Sequence, residues 1–175
     1  YRNETGLKVA DLGTGSGAIL VGFLYYCRDA VGVGVDISTE ALKIAEENGQ
    51  NLKITDRVEW RQGDYLKAFD EEDIFDGIFS NPPYIPTKDI GGLSREVKHE
   101  PRLALDGGTD GLYFYHLLAK GAAEHLKPGG FLAAEFGIGQ ATDILEMFRK
   151  SAQYEDFEVI KDYGGIERAL CCRKK

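Results

Sequence analysis

Short apolar runs alternate along this chain with stretches in which apolar residues recur every three or four positions, and that alternation sets the expected elements. Residues 8–12 (KVADL) are short and partly β-branched, and they run into Gly13, Gly15 and Gly17. After the glycines, AILVGFLYYC continues as an apolar run to Arg28, which predicts a strand, a glycine-rich turn and a buried helix. Residues 31–35 (VGVGV) predict a second buried strand ending at Asp36. Ser38 is suited to cap the helix that follows, although Ala41 rather than Glu stands three residues on, so the reciprocal capping box is absent. Ala41, Leu42, Ile44 and Ala45 are expected to form the buried face of that helix.

Residues 58–61 predict a third strand, and residues 74–79 (IFDGIF) a fourth that runs straight into Ser80-Asn81-Pro82-Pro83-Tyr84. From residue 85 to 110 the composition turns to glycine, proline and charge, a length that ordered domains reserve for functional loops. Residues 112–126 read as a helix, ended by a Lys127-Pro128-Gly129-Gly130 turn that launches an apolar strand over 131–136. A further helix is expected over 140–152, with strands over 157–160 and 169–173. Strands alternating with helices predict a mostly parallel seven-stranded sheet with helices on both faces. The last two strands are joined by too short a link for a crossover helix, so they should form a hairpin that leaves one strand antiparallel.

The 175 residues carry 21 Lys and Arg against 29 Asp and Glu, a formal charge of −8, with 43% hydrophobic residues. A chain of this size buries roughly 70% of its unfolded surface, enough for one domain over 1–175 that needs no staple. The acidic balance argues against a surface that tracks a phosphate backbone, because counterion release needs clustered Lys and Arg. The only basic run is Arg173-Lys174-Lys175. Cys27, Cys171 and Cys172 show no metal-ligand spacing, and no apolar run approaches the length of a membrane helix. The composition therefore reads as a soluble cytoplasmic protein without a metal.

Three constellations carry candidate chemistry. The first is Asp11-Leu12-Gly13-Thr14-Gly15-Ser16-Gly17 at a strand's carboxyl end, where open α/β sheets bind ligands. Its G-x-G-x-G pattern differs from the G-x-G-x-x-G of dinucleotide binders, and Asp11 would repel a pyrophosphate while favouring a ligand with a free amino group. A turn serving only strand and helix packing fits the glycines equally well. The second is Asp36, 23 residues after Gly13 and at the end of a strand, where a carboxylate can accept from both ribose hydroxyls; the competing reading is a helix N-cap. Asp64, after the third strand, suits an adenine amino group or a solvated turn. The third is Asn81-Pro82-Pro83-Tyr84. Two prolines hold the chain extended with free carbonyls, so the Asn81 side-chain oxygen and the Pro82 carbonyl offer a planar NH2 group two acceptors, with Tyr84 available to stack on it.

Together these residues resemble a class I S-adenosylmethionine-dependent methyltransferase of the amino-group type, with its Rossmann-like fold. A narrower likeness comes from Asn81-Pro82-Pro83-Tyr84-Ile85 with the 100–108 stretch EPRLALDGG and Asp110-Gly111-Leu112. These resemble the HemK/PrmC family, the N5-glutamine methyltransferases of peptide chain release factors, and the likeness covers nearly the whole chain. It implies that Gly13, Thr14, Gly15 and Gly17 cradle the methionine portion of S-adenosylmethionine near Asp11. Asp36 would hold the ribose and Asp64 would sit beside the adenine, with Ile37 and Tyr65 also among the cofactor-binding residues. Asn81, which also borders the cofactor, and Pro82 would accept the hydrogens of the substrate glutamine amide, Tyr84 and Pro83 would pack on it, and Glu100 and Pro101 would shape the substrate pocket. The release factor would be the partner. The family carries an N-terminal helical domain that engages the release factor, and this sequence reads as the catalytic domain without it. The competing enzyme reading is a nucleic-acid adenine or guanine amino methyltransferase that stacks a flipped base on Tyr84; a binding module with a decayed site is a third, countered by every polar position being filled. His99, His116 and His125 read as surface or packing residues.

Overall fold

The computed structural model describes residues 5–94 and 100–175. Seven strands form one sheet in the order β3-β2-β1-β4-β5-β7-β6. They are β1 (Lys8–Leu12), β2 (Val31–Asp36), β3 (Val58–Gln62), β4 (Phe75–Ser80), β5 (Leu126–Glu135), β6 (Tyr154–Lys161) and β7 (Glu167–Lys174). The first five are parallel to one another, and β7 runs antiparallel to both β5 and β6. The expected C-terminal hairpin and single antiparallel strand are thus present.

Helices cover both faces. α1 (Ala18–Tyr26) and α2 (Thr39–Asn51) pack on one side, and α4 (Tyr113–Gly121) and α5 (Ala141–Ser151) on the other, with a four-residue α3 (Arg102–Leu105) in the long loop. The VGVGV strand shows why this works. Val33 and Val35 enter the larger core with Leu118, Phe136 and Phe148, while Gly32 and Gly34 leave the other face bare for Leu20 and Trp60. A Cβ on Gly32 would meet Leu20 at 2.6 Å, and one on Gly34 would collide with the Trp60 ring. The period-2 alternation therefore separates a branched face from a glycine face that lets α1 descend onto the sheet.

Three local expectations are corrected. Ile44 is half exposed rather than buried, because Ala45 and Gly49 occupy the inward turn of α2 over Trp60. The helix expected to reach residue 126 ends at Gly121, passes through a 3-10 turn at Ala122–His125, and gives way to β5 at Leu126. The expected 127–130 turn lies inside β5 as an excursion, since Phe75 pairs with Leu126 but Gly77 with Phe131. Arg173 donates to the Gly129 carbonyl at 2.8 Å and Lys174 to the Leu126 carbonyl at 2.6 Å, so the C-terminal basic run ties down this excursion. Among the described residues, no helix is long and apolar enough to cross a membrane.

Candidate functional site

The strand order reverses between β1 and β4, the place where open α/β sheets form a ligand crevice. Leu12 and Ser80 are paired at the last rung of these two strands. Beyond that rung one chain opens into the glycine turn and the other into Asn81-Pro82-Pro83-Tyr84. Asp36 ends β2 on one flank, and the Gly137-Ile138-Gly139 loop follows β5 on the other.

Backbone bonds and a threonine hydroxyl hold the glycine turn. Thr14 N–H donates to the Val35 carbonyl at 2.9 Å, Gly17 N–H to the Thr14 carbonyl at 2.8 Å, and the Thr14 hydroxyl to Asp11 Oδ2 at 2.7 Å. Gly13, Gly15 and Gly17 all have positive φ, at 69°, 55° and 77°, the region glycine enters without strain. Their surroundings differ. A Cβ on Gly15 would meet nothing within 4 Å, leaving its face open, whereas one on Gly17 would press Ala45 and Trp60 at 3.0 Å. Gly17 is thus required for the approach of α2 and Trp60 to the start of α1, while Gly15 borders open space. Asp11 is 1% exposed. Burial pushes its carboxyl up to about 6, with the Thr14 hydroxyl and Leu20 backbone opposing and the Asp36 charge adding to the rise.

Asp36 accepts Gly15 N–H at 2.8 Å on one oxygen and Ser38 N–H at 2.9 Å on the other. Helix capping falls instead to Ser38, whose hydroxyl accepts Ala41 N–H at 3.2 Å. Asp36 is therefore a fixed carboxylate at the mouth of the glycine turn. Ile37 beside it is half exposed, and its carbonyl accepts from Gln62 at 3.3 Å. Asp64 is exposed and pairs with Lys67 at 2.5 Å. Tyr65 takes φ 58° and turns its ring inside, under Gly13 and against Phe114, so its side chain is a floor beneath the turn.

Asn81 is exposed, and among the described residues its side-chain amide has no hydrogen-bond partner; Pro82 is buried, and Pro83 and Tyr84 are partly covered. The segment is fixed from behind by the 101–112 loop. Ile85 N–H donates to the Leu105 carbonyl at 3.0 Å and Gly107 N–H to the Ile85 carbonyl at 2.9 Å, a one-rung parallel bridge between Ile85 and Asp106. Thr87 closes the junction twice, N–H to the Gly108 carbonyl at 2.8 Å and hydroxyl to Asp106 at 2.6 Å. Asp106 also takes the Arg102 guanidinium at 3.3 Å. Gly107 and Gly111 are needed for contact. A Cβ on Gly107 would meet the Pro83 carbonyl at 2.8 Å, and one on Gly111 would collide with the Tyr84 carbonyl. Burial raises the Tyr84 hydroxyl pKa, Glu135 and Glu100 raise it further, and Arg168 opposes them.

Glu100 and Pro101 are exposed at the start of the loop that docks on Tyr84 and Ile85, and Pro101 caps α3. His99 lies outside the described residues. His116 is exposed, and His125 packs on Phe69 while contacting the Asp73 carbonyl at 3.0 Å, as packing residues do. Two contributors escaped the sequence reading. Gln140 bonds Gly137 N–H, the Tyr84 carbonyl and the Gly111 carbonyl at 2.8, 3.0 and 3.3 Å. Ser80 donates to the Leu12 carbonyl at 2.8 Å and contacts the Tyr65 hydroxyl. Position alone signalled them: Ser80 abuts Asn81, and Gln140 stands between a Gly-x-Gly loop and a helix. Among the described residues, no group of three or more His, Cys, Asp or Glu side chains is placed to hold a metal ion.

A family model described as a methyltransferase domain matches residues 3–156. The release factor glutamine methyltransferase of Moorella thermoacetica is 42% identical over 167 residues, covering 95% of this chain and 59% of that protein. The protein of the same name from Bradyrhizobium diazoefficiens is 46% identical over 168 residues, covering 95% of this chain and 56% of its own length. The chain thus spans less than two thirds of the curated relatives it matches. The crystal structure of a methyltransferase from Pyrococcus furiosus superposes with a TM-score of 0.72 at 23% identity, over 98% of this chain and 76% of that one, a likeness of fold.

Proposed function

This chain belongs to the methyltransferase domain family, and from that premise we propose that it transfers a methyl group from S-adenosylmethionine to the side-chain amide nitrogen of a glutamine in a peptide chain release factor. The observation that carries the proposal is the union of two segments. Asn81 to Ile85 and the 101–111 loop form one unit through the Ile85 to Asp106 bridge, the Thr87 contacts and the glycines that admit the Tyr84 backbone. The same segments lie within the part of the chain that is 42% and 46% identical to release factor glutamine methyltransferases.

The crevice suits the cofactor. Gly15 leaves room at the turn, Asp36 has an oriented carboxylate that would meet a ribose with Ile37 beside it, and Asp64, exposed after β3, would meet the adenine. S-adenosylmethionine supplies an electrophilic sulfonium methyl group. An amide nitrogen is a poor nucleophile because its lone pair is delocalised into the carbonyl, so the protein must hold it in near-attack geometry. Asn81 Oδ1 and the Pro82 carbonyl accept its two hydrogens, which orients the nitrogen and stabilises the positive charge that develops there. Tyr84 covers the planar amide. The N-methylated amide is strongly acidic while it carries the extra proton, so release to water suffices and no strong base is required. A release-factor substrate would set the reaction in the cytoplasm.

Nucleic acid is the weaker substrate class. The charge is −8, and two of the three residues in the basic run, Arg173 and Lys174, bind carbonyls of β5. The test is methyl transfer from radiolabelled S-adenosylmethionine by the full-length protein to purified release factor and, in parallel, to DNA and ribosomal RNA. Label on a release-factor glutamine, abolished by Asn81→Ala with S-adenosylhomocysteine affinity retained, is the expected result. Label confined to nucleic acid would overturn the substrate and reassign Asn81 and Tyr84 to a flipped base.

A further inference from the structure

We propose that Ser80 and Tyr65 are positioning residues for methyl transfer, forming a buried hydroxyl pair that fixes the glycine turn, the Asp64 loop and Asn81 relative to one another. The inference rests on the proposed function for which segments hold cofactor and substrate, and it adds what sets the distance between them.

The bonding is directional. A backbone carbonyl can only accept, so the Ser80 hydroxyl spends its one proton on the Leu12 carbonyl at 2.8 Å. The Tyr65 hydroxyl must then donate to Ser80 Oγ. Burial raises the Tyr65 phenol well above its ordinary value and keeps that proton in place. Leu12, Ser80 and Tyr65 are each one residue from Gly13, Asn81 and Asp64, and both hydroxyl-bearing residues are 6% exposed or less. The β1 to β4 pairing ends at Leu12 and Ser80, and the prolines that follow bring no N–H to extend it. The serine hydroxyl therefore makes the last tie between the two strands before they part around the crevice.

Tyr65 reaches this place only with φ at 58°, a conformation that a bulky residue adopts at a cost. Its ring supports Gly13 and packs on Phe114 at 4.9 Å between centroids. Filling the core does not require the hydroxyl or its alignment with Ser80. In-line transfer does require the methyl carbon, held by one strand end, and the nitrogen, held by the next, to meet within roughly 3 to 3.5 Å. Loss of the pair should leave both half-sites intact and misplace one against the other.

The test uses Tyr65→Phe, Ser80→Ala and the double variant of the full-length protein, with S-adenosylhomocysteine affinity measured beside steady-state transfer to release factor. The expected result is a kcat lower by tenfold or more in each single variant, with Kd for S-adenosylhomocysteine within threefold of the parent. The double variant should lose little more than Ser80→Ala alone, because that substitution already removes both the Leu12 tie and the acceptor of the Tyr65 hydroxyl. A kcat within twofold of the parent in both single variants, with release factor methylated normally, overturns the positioning role and leaves the proposed function standing. If the parent labels nucleic acid alone, the proposed substrate fails instead, and the same kcat comparison on that acceptor decides the role of the pair.

Discussion

Gln140 Nε2 donates to the Tyr84 carbonyl at 3.0 Å from the start of α5, more than fifty residues along the chain. The same side chain accepts Gly137 N–H at 2.8 Å and donates to the Gly111 carbonyl at 3.3 Å. One amide thus binds three loops, those that carry Tyr84, Gly111 and Gly137. Gln140→Ala leaves those backbone groups without partners in a partly buried place, which costs about 1 to 3 kcal/mol. At roughly 2 to 4 °C per kcal/mol for a chain of this size, the melting temperature should fall visibly. Transfer activity should fall further than stability while S-adenosylhomocysteine affinity is kept. Unchanged kcat would detach the tie from catalysis.

Asp36 is held by Gly15 and Ser38 N–H groups with its carboxylate already oriented. Hydrogen bonds to a charged acceptor contribute about 1.5 to 3 kcal/mol. Asp36→Ala should therefore raise the calorimetric Kd for S-adenosylhomocysteine by about 10- to 100-fold. An affinity equal to that of the parent would remove Asp36 from the ribose site.

Two glycines with nearly equal backbone angles should respond differently to one methyl group. Gly111 has φ 79° and Gly129 φ 74°, so alanine carries a similar left-handed penalty of about 1 to 2 kcal/mol at each. Around Gly129 an added Cβ meets nothing within 4 Å, whereas at Gly111 it collides with the Tyr84 carbonyl and meets Gln140 Nε2 at 2.8 Å. Gly111→Ala should destabilise well beyond Gly129→Ala in urea unfolding and should impair transfer as well. Equal midpoints would show that the loop yields to the methyl group without cost.

Much of this arrangement was legible in the sequence because local chemistry and long-range structure agree. VGVGV has to be a buried strand, and its glycines mark the face where a helix descends on Leu20 and Trp60. Asn81-Pro82-Pro83-Tyr84 has to be extended. Other features depend on partners distant in sequence. Nothing local to residues 126–131 reveals that a β5 excursion is held by side chains of β7. Ile44 matches the helical period, but the small residues Ala45 and Gly49 take the inward positions. Asp11 reads as a partner for a ligand's amino group, and its Thr14 brace is only three residues away, but the burial that lifts its carboxyl comes from the assembled sheet. Ser80 and Gln140 are ordinary residues whose roles arise only when Leu12 and Tyr84 lie beside them.

Asp11 gives the site a pH dependence whose sign follows from its burial. Its carboxyl stands at about 6 in the folded chain against an ordinary value of 3.8. Between those values the native state holds the proton that the unfolded state has lost, so stability is full below the lower value and declines as pH rises through the upper one. The total is about 3 kcal/mol at 1.36 kcal/mol for each pKa unit. Asp11→Asn removes the charge and keeps the shape, and the Thr14 hydroxyl can turn to accept from the new amide. The parent should therefore lose stability from pH 4 to pH 7.5 relative to Asp11→Asn, read as unfolding midpoints at each pH. Cofactor binding supplies the complementary readout. A ligand ammonium close to Asp11 favours its ionised form and draws the pKa back down, so S-adenosylhomocysteine should bind more tightly as pH rises through about 6, by up to about a hundredfold if the ordinary value is restored. Asp11→Asn should flatten that slope. A stability difference that follows pH while the parent's affinity does not would place the ligand's ammonium away from Asp11 and leave the carboxylate with the Thr14 brace alone.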